Sequence, residues 1–338
     1  MFSKRTLQSL RDVFHRSLLP KIGLICLLLV VVSGIFAPVL APHDPTAQNS
    51  DISNQPPVMV SQDVTEETVE LDGLEQEVTQ ETVTKTGTLA YPLGTDPLGR
   101  DILSRIIYGA RVSLVVGIVS TLLAFMLGTA FGLTSGYYGG WVDDLFMRLI
   151  EVRLSIPGLV LAIAIIGIFG SLPIPVPDPF VSLGITPDMP ETTVIPGAIT
   201  LVIAVFSWDH FARVARGEAL SLRSQNYVQA AKASGASSWA IIRRHLYPNA
   251  LTPVMVLATI RVASAIILES VLSFLGFSGV TLSWGFDIAF GREYMGTAWW
   301  VALFPGLAIV VAVIGVNLMG DWLRDALDPD VDAGGAVE

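Results

Sequence analysis

The chain has 338 residues, 52% of them hydrophobic and only 15% charged, with a mean hydropathy of +0.61. Soluble domains average about 25% charged residues, so this composition excludes an ordinary soluble enzyme, and its apolar content excludes a disordered chain. Thirty acids against twenty bases give a net charge of −10, which argues against nucleic acid as a partner and poses the question of where the surplus sits.

Spanning a bilayer as a helix takes about 20 predominantly apolar residues. Six segments meet that requirement, at 22–41, 112–134, 154–172, 194–211, 251–277 and 298–320, and the second and sixth contain no charged residue. A buried core helix accounts for one such segment, not for six. The sequence therefore predicts an all-α polytopic membrane protein with six transmembrane helices. The first segment follows Lys4, Arg5, Arg11, Arg16 and Lys21. It reads as an uncleaved anchor rather than a secretory signal, because the apolar run is long for a signal core and Pro38 and Pro42 flank the candidate cleavage site. Its Cys26 is the chain's one cysteine, so no intramolecular disulfide forms.

Lysine and arginine placement sets orientation. With the N-terminus in the cytoplasm, fourteen of these bases fall inside; five fall outside (Lys85, Arg100, Arg105, Arg111 and Arg292) and Arg261 lies within the fifth segment. Both termini are thus expected to be cytoplasmic. The predicted organisation is a cytoplasmic segment 1–21, a first transmembrane helix 22–41, an extracytoplasmic loop with an interfacial helix 42–111, a core of five transmembrane helices 112–325 with a cytoplasmic loop 212–250, and a cytoplasmic tail 326–338.

The outer segment holds the charge surplus. From Asp44 to Tyr91 there are ten acids and one base, Lys85, which is −9 of the total −10. Within it, Val69-Glu70-Leu71-Asp72-Gly73-Leu74 suits either a small hairpin, with Asp-Gly in a type I′ turn, or a solvated loop. Gly94-Thr95-Asp96-Pro97-Leu98-Gly99-Arg100-Asp101 is a turn-rich entry to a helix, and Ile102, Leu103, Ile106 and Ile107 continue it as an apolar stripe at helical spacing, an interfacial lead-in to the second span. Further on, Pro157-Gly158 and Pro305-Gly306 mark places where the third and sixth spans can kink.

The inner loop reads Tyr227-Val228-Gln229-Ala230-Ala231-Lys232-Ala233-Ser234-Gly235, then runs on to Pro248-Asn249. Its first part favours a helix, Gly235 suits the helix stop, and Ser237 suits the cap of a second short helix that Pro248 ends. The small side chains at Ala230, Ala231 and Gly235 allow a partner to approach closely. Arg261 and Glu269 fall inside the fifth span, where ionisable groups are costly and face either a bundle interior or a water-filled path. Eight residues apart on a helix, they are about 80° out of line, so pairing between them is not assured. No phosphate-cradling G-x-x-x-x-G-K-[ST] loop is present, and His15, His43, His210 and His245 are scattered without metal-ligand spacing. Neither a bound cofactor nor an enzymatic activity is expected of the chain.

The inner loop resembles the EAA loop of ABC importer permeases, E-A-A-x3-G-x9-I-x-L-P: Ala230, Ala231, Gly235 and Pro248 match, Gln229 replaces the glutamate, and His245 and Tyr247 replace the Ile and Leu. Gly94, Asp96, Gly99, Arg100 and Asp101, with Ser104-Arg105 and Gly109-Ala110-Arg111, resemble the signature of the dipeptide/oligopeptide/nickel subfamily. So do Leu272-Ser273-Phe274-Leu275-Gly276-Phe277 with Ser283-Trp284-Gly285, and the stretch from Pro305-Gly306 to Asp328-Pro329. The resemblance implies a type I ABC importer permease fold and the role of a C-type subunit in the cell membrane. It also implies a homologous B-type subunit, two ABC ATPase subunits that bind ATP and Mg, and an extracytoplasmic solute-binding protein as partners. The loop at 227–235 would then be the ATPase-coupling helix, and Arg261 and Glu269 candidates for the translocation path. An ion-coupled secondary transporter or channel is the alternative. The inner loop and the lack of paired carboxylates along the spans argue against it, while six spans argue against an anchored receptor.

Overall fold

A computed structural model describes Phe14 and residues 17–58, 60–72 and 75–327; from 64 to 83 it describes backbone only. Most of the cytoplasmic segment expected at 1–21 and of the tail expected at 326–338 lies outside the described residues.

The elements follow in chain order as α1 (Leu19–Ile35), β1 (Ser61–Asp72), β2 (Glu75–Thr86), α2 (Ile102–Tyr138), α3 (Gly140–Ser155), α4 (Gly158–Phe169), β3 (Pro173–Pro177), β4 (Thr192–Pro196), α5 (Gly197–Arg223), α6 (Asn226–Ala233), α7 (Ser238–Phe274), α8 (Trp284–Gly291) and α9 (Trp300–Leu327). α2, α5, α7 and α9 are each long and apolar enough to cross a membrane; α3 and α4 make a fifth crossing only if that bent pair is one span. α1 is shorter. Its 17 residues rise about 26 Å against a hydrocarbon thickness of about 30 Å, and a separate turn, Ala37–Leu40, follows it.

Three boundaries differ from the sequence reading. The interfacial lead-in and the second span are one 37-residue helix, α2, because nothing between Ile107 and Val112 breaks the helical ladder. The segment expected as the third span is broken: α3 and α4 meet at 89° across Ile156 and Pro157, where the proline cannot donate to the ladder and disfavours helix in the residue before it. The acidic loop is not a small hairpin at 69–74 but a ribbon of two twelve-residue antiparallel strands, from Ser61↔Thr86 to Asp72↔Glu75. That register leaves Gly73-Leu74 at the connection, outside the described residues. A second ribbon, β3–β4, also interrupts the helical pattern.

Small residues set how closely the helices meet. Gly128, Gly132 and Gly136 recur every fourth residue along α2 and face α5. A Cβ on Gly132 would lie 2.3 Å from the Ala212 carbonyl oxygen and 2.8 Å from the Ala215 Cβ. This seam is how membrane helices gain van der Waals contact without a hydrophobic drive to associate. Further along the same helices, Val112, Val116, Ile166, Ile199, Ile203, Phe206 and Leu272 form a buried core shared by α2, α4, α5 and α7.

The end of the bundle that the charge bias places outside is tied by polar side chains. Arg105 donates from Nε to Asp287 Oδ1 at 2.8 Å, from Nη1 to the Pro45 carbonyl at 3.0 Å, and from Nη2 to the Thr281 carbonyl. Arg111 pairs with Asp178 and donates to Thr193 Oγ1 at 3.0 Å, which fastens α2 to the β3–β4 region. At the other end Arg216 of α5 grips Asp143 of α3 through Nε at 2.5 Å and Nη2 at 2.6 Å.

Candidate functional site

Three groups of residues singled out by the sequence fall in three separate places. At the inner end, α6 carries Tyr227, Val228, Gln229, Ala230, Ala231 and Lys232. Val228 is buried against Ala219, Ile241 and Leu246, and it roots the helix in the core below. Tyr227, Gln229, Ala230 and Lys232 are exposed. Gly235 ends α6 at φ +82°, with its N–H donating to the Lys232 carbonyl and the Ala236 N–H to the Ala231 carbonyl. Those two bonds make a Schellman stop, and an L-residue there would be strained. Ser237 then caps α7 by accepting from the Ala240 N–H at 3.3 Å. Glycine stop and serine cap are both where the sequence places them.

Pro248 does not end this second helix. It sits in the first turn after a π-helical stretch, Ile242–Leu246, and α7 runs on through it. The wider hydrogen-bond ring of that stretch shifts the ladder just where the proline lacks an N–H, so the helix is continuous from Ser238 to Phe274. Gln229, in place of the family's glutamate, folds back and donates from Nε2 to the Arg223 carbonyl at 2.8 Å. A groove of about 440 Å³ runs beside α6, lined by Tyr137, Arg223, Val228, Gln229, Lys232 and Ser238. The whole knob is firmly held beneath and open above, and no atom lies within 4 Å of a Cβ placed on Gly235.

At the outer end, the signature residues turn inward. Asp96 Oδ1 accepts the N–H groups of Leu98 at 2.8 Å and Arg100 at 2.9 Å, and its Oδ2 accepts from Arg100 Nε at 2.6 Å. Gly94 and Gly99 both take positive φ in the loop this carboxylate closes. Asp101 caps α2 by accepting from the Ser104 N–H at 3.0 Å. Arg100 lies over the Phe290 ring, 5.0 Å from its centroid; burial, then the Arg105 cation, lowers its pKa, while Asp96 opposes that shift. Trp300 of α9 donates to the Thr95 carbonyl at 2.9 Å. The signature is thus a clamp among the 42–60 loop, α2, α8 and α9, and Asp96, Arg100 and Asp101 are all buried.

In the middle, Arg261 and Glu269 do not meet. Glu269 is fully buried and accepts from Ser273 Oγ at 2.7 Å and Ser113 Oγ at 3.0 Å, with Ser270 at 3.3 Å. Arg261 faces a different group on α5. There Asp209, also fully buried, is held by Arg153 at 3.5 Å and Arg213 at 3.4 Å, with His210 beside it at 3.9 Å. The sequence reading gives Asp209 and His210 no role, although Asp209 falls inside the fourth predicted span. An ionisable residue in a span was the available signal. Its partner Arg153 comes from another helix, 56 positions away, which spacing cannot reveal.

Comparison with known proteins agrees with this layout. The family profile described as "Binding-protein-dependent transport system inner membrane component" matches residues 128–333, and that of the "N-terminal TM domain of oligopeptide transport permease C" matches residues 7–57. The chain is 36% identical over 312 residues to the di/tripeptide transport system permease protein DppC of Pseudomonas aeruginosa, covering 91% of this chain and 86% of that one. It is 40% identical over 242 residues to the glutathione transport system permease protein GsiD of Pectobacterium atrosepticum, covering 71% and 73%. A solved structure of the inward-facing MetNI methionine ABC transporter aligns with 67% of this chain and 98% of that chain at a TM-score of 0.50 and 18% identity, a likeness of fold.

Proposed function

The chain belongs to the inner-membrane components of binding-protein-dependent transport systems, and from that membership we propose that it is one of two homologous transmembrane subunits of an ATP-driven peptide importer. It is a multi-pass membrane protein of the ABC importer permease fold. Our reading adds six spans, α1 and the bent pair α3–α4 included, with both termini cytoplasmic. It also adds a B-type partner permease, two ATPase subunits below and a solute-binding protein above. ATP and Mg are held by the ATPase subunits, and this chain hydrolyses nothing. Peptide as the cargo rests on what the relatives named above carry, with nickel the other solute of the resembling subfamily.

The observation that supports the coupling role is the knob formed by α6, Gly235 and the start of α7. It is exposed on the side away from the membrane core, yet Val228 and Ile241 root it among residues of α2, α5 and α7. A motion imposed on the knob by an ATPase subunit is therefore passed to three spanning helices at once. Alternating access follows when ATP-bound and ATP-free partners contact the knob differently, since only differential contact shifts a conformational equilibrium.

The test is co-expression with the cognate ATPase subunits and binding protein, purification, and uptake of a radiolabelled dipeptide into proteoliposomes. The expected result is co-purification of all subunits and uptake that stops when the ATPase phosphate-loop lysine is replaced. Uptake that persists without ATP hydrolysis would overturn the reading in favour of an ion-coupled carrier.

A further inference from the structure

The cluster around Asp209 has more positive charge than its carboxylate can balance. Arg153 and Arg213 both pair with the one buried acid, Asp209, and Arg261 lines the same cavity, so three cations face one carboxylate. Asp209 lies about 18 Å along α5 from its outer end, and Arg261 about 20 Å along α7 from its outer end, deep in a hydrocarbon layer about 30 Å thick. Unbalanced charge at that depth is costly and marks a function rather than a scaffold.

The cluster opens on a cavity. Arg153, His210 and Arg261 line a space of about 200 Å³, floored by Ile203, Phe206 and Leu268, and its mouth lies at Gly158, Leu159 and Ser264, all exposed. Behind its lining, Nε of Arg153 and Nε of Arg261 are both buried and hydrogen-bond nothing among the described residues. Arg153 is held in place by stacking on Phe206, 5.2 Å from the ring centroid, and by donating to the Phe206 carbonyl. Guanidinium groups present forked donors that match a carboxylate. The cavity also lies at the bend between α3 and α4, which supplies Arg153, Gly158 and Leu159 to its lining.

We propose that this cavity is a carboxylate-binding station on the translocation path, where Arg153 and Arg261 hold the C-terminal carboxylate of a peptide in transit. The proposal rests on the reading of the chain as a peptide importer subunit. Asp209 keeps the two cations from binding too tightly, so the station releases its cargo, as a conduction site must. Its apolar floor accepts the last side chain of the peptide without selecting it.

The experiment uses the full complex with its binding protein in proteoliposomes and two probes, Ala-Ala and Ala-Ala amide, each given at equal measured occupancy of the binding protein. Arg261→Gln and Arg153→Gln should lower Ala-Ala uptake roughly ten- to a hundredfold while leaving Ala-Ala amide uptake and binding-protein-stimulated ATP hydrolysis near wild type. Arg261→Lys should recover part of the loss. If the glutamine variants fail to assemble, Ser264→Phe, which fills the mouth from an exposed position, should block uptake of both probes and spare the stimulated hydrolysis. An unchanged preference between the probes in Arg261→Gln, or wild-type uptake in Ser264→Phe, would overturn the proposal. So would a phospholipid that co-purifies with wild type and is lost in Arg261→Gln, since it would assign the anion to the bilayer. Failure of the importer reading looks different: the wild-type complex then takes up neither probe with ATP.

Discussion

Arg105 Nε donates at 2.8 Å to Asp287 Oδ1, 182 residues further along the chain, and both side chains are almost wholly buried. This pair joins the start of α2 to α8. The same guanidinium also holds the backbone at Pro45 and Thr281, so four chain segments converge on one side chain. Removing one partner of a buried pair leaves an uncompensated charge, which costs about 3–5 kcal/mol. Arg105→Ala and Asp287→Ala should each lower the unfolding temperature of the purified protein in detergent sharply. Arg148→Ala, which removes the exposed pair Arg148–Glu151 at 2.9 Å, should cost less than about 1 kcal/mol. Equal melting shifts for the buried and exposed variants would show that the outer clamp does not hold the fold.

The α2–α5 seam makes a second, independent claim on stability. Gly132→Leu must displace the Ala212 carbonyl oxygen, which lies 2.3 Å from where the new Cβ would sit. Backbone cannot yield as a flexible side chain can, so the cost should exceed the 1–3 kcal/mol typical of overpacking. Gly217→Leu, on the same α5 where a Cβ meets nothing within 4 Å, is the control and should melt near wild type. Thermal melts of the two variants side by side decide the point.

What the amino-acid sequence disclosed and what it hid divide along physical lines. Local end signals were legible. Gly235 stops a helix and Ser237 starts the next because φ > 0 and a hydroxyl acceptor are requirements of single positions. The long apolar runs were legible because hydropathy averages over many residues. The same averaging hid the 89° bend at Pro157, and no local pattern marked the π-helical stretch that lets α7 run through Pro248. The pairs that set the candidate site were out of reach for another reason. Arg153 with Asp209, Arg111 with Asp178 and Arg105 with Asp287 are brought together by packing across 56, 67 and 182 positions, and no spacing rule connects them.

The inner knob separates fold from coupling. Ala230 is exposed on α6, and a surface substitution away from caps and strained backbone shifts stability by no more than about 0.5 kcal/mol. Ala230→Arg should therefore leave the melting temperature unchanged, yet abolish co-purification with the ATPase subunits, because the proposed coupling role puts the arginine in the path of the docking subunit. Val228→Asp should do the reverse in order of cause: it buries a charge against Leu246 and Ile241 and lowers the melting temperature first. An Ala230→Arg protein that still co-purifies with active ATPase subunits would remove α6 from the docking surface.

The acidic ribbon carries most of the net charge, and its backbone register sets acidic residues at opposed positions. Glu66 pairs with Glu81, Glu70 with Glu77 and Asp72 with Glu75. Like charges directly across a ladder are destabilising by a few tenths to about 1 kcal/mol each, and salt screens them within about 10 Å at 0.1 M. Amide hydrogen exchange in β1 and β2 should slow as salt rises. Glu77→Lys, which sets a base at the register position opposite Glu70, should slow it already at low salt. The ribbon is also removable as a unit. The Gly87 N–H already donates to the Val60 carbonyl at 2.9 Å, so a two-residue Asn-Gly turn in place of residues 61–86 closes the chain. Residues 50–58 are not part of it: the Gln55 carbonyl accepts the Thr95 N–H at 2.9 Å, and Ser53 Oγ donates to the Pro97 carbonyl at 2.8 Å. Replacing 61–86 by that turn should leave the melting temperature near wild type, whereas deleting 50–88 should lower it by removing the 50–58 segment from the signature clamp. Equal destabilisation by the two deletions would mean that the ribbon, and not the 50–58 segment, braces the outer end of α2.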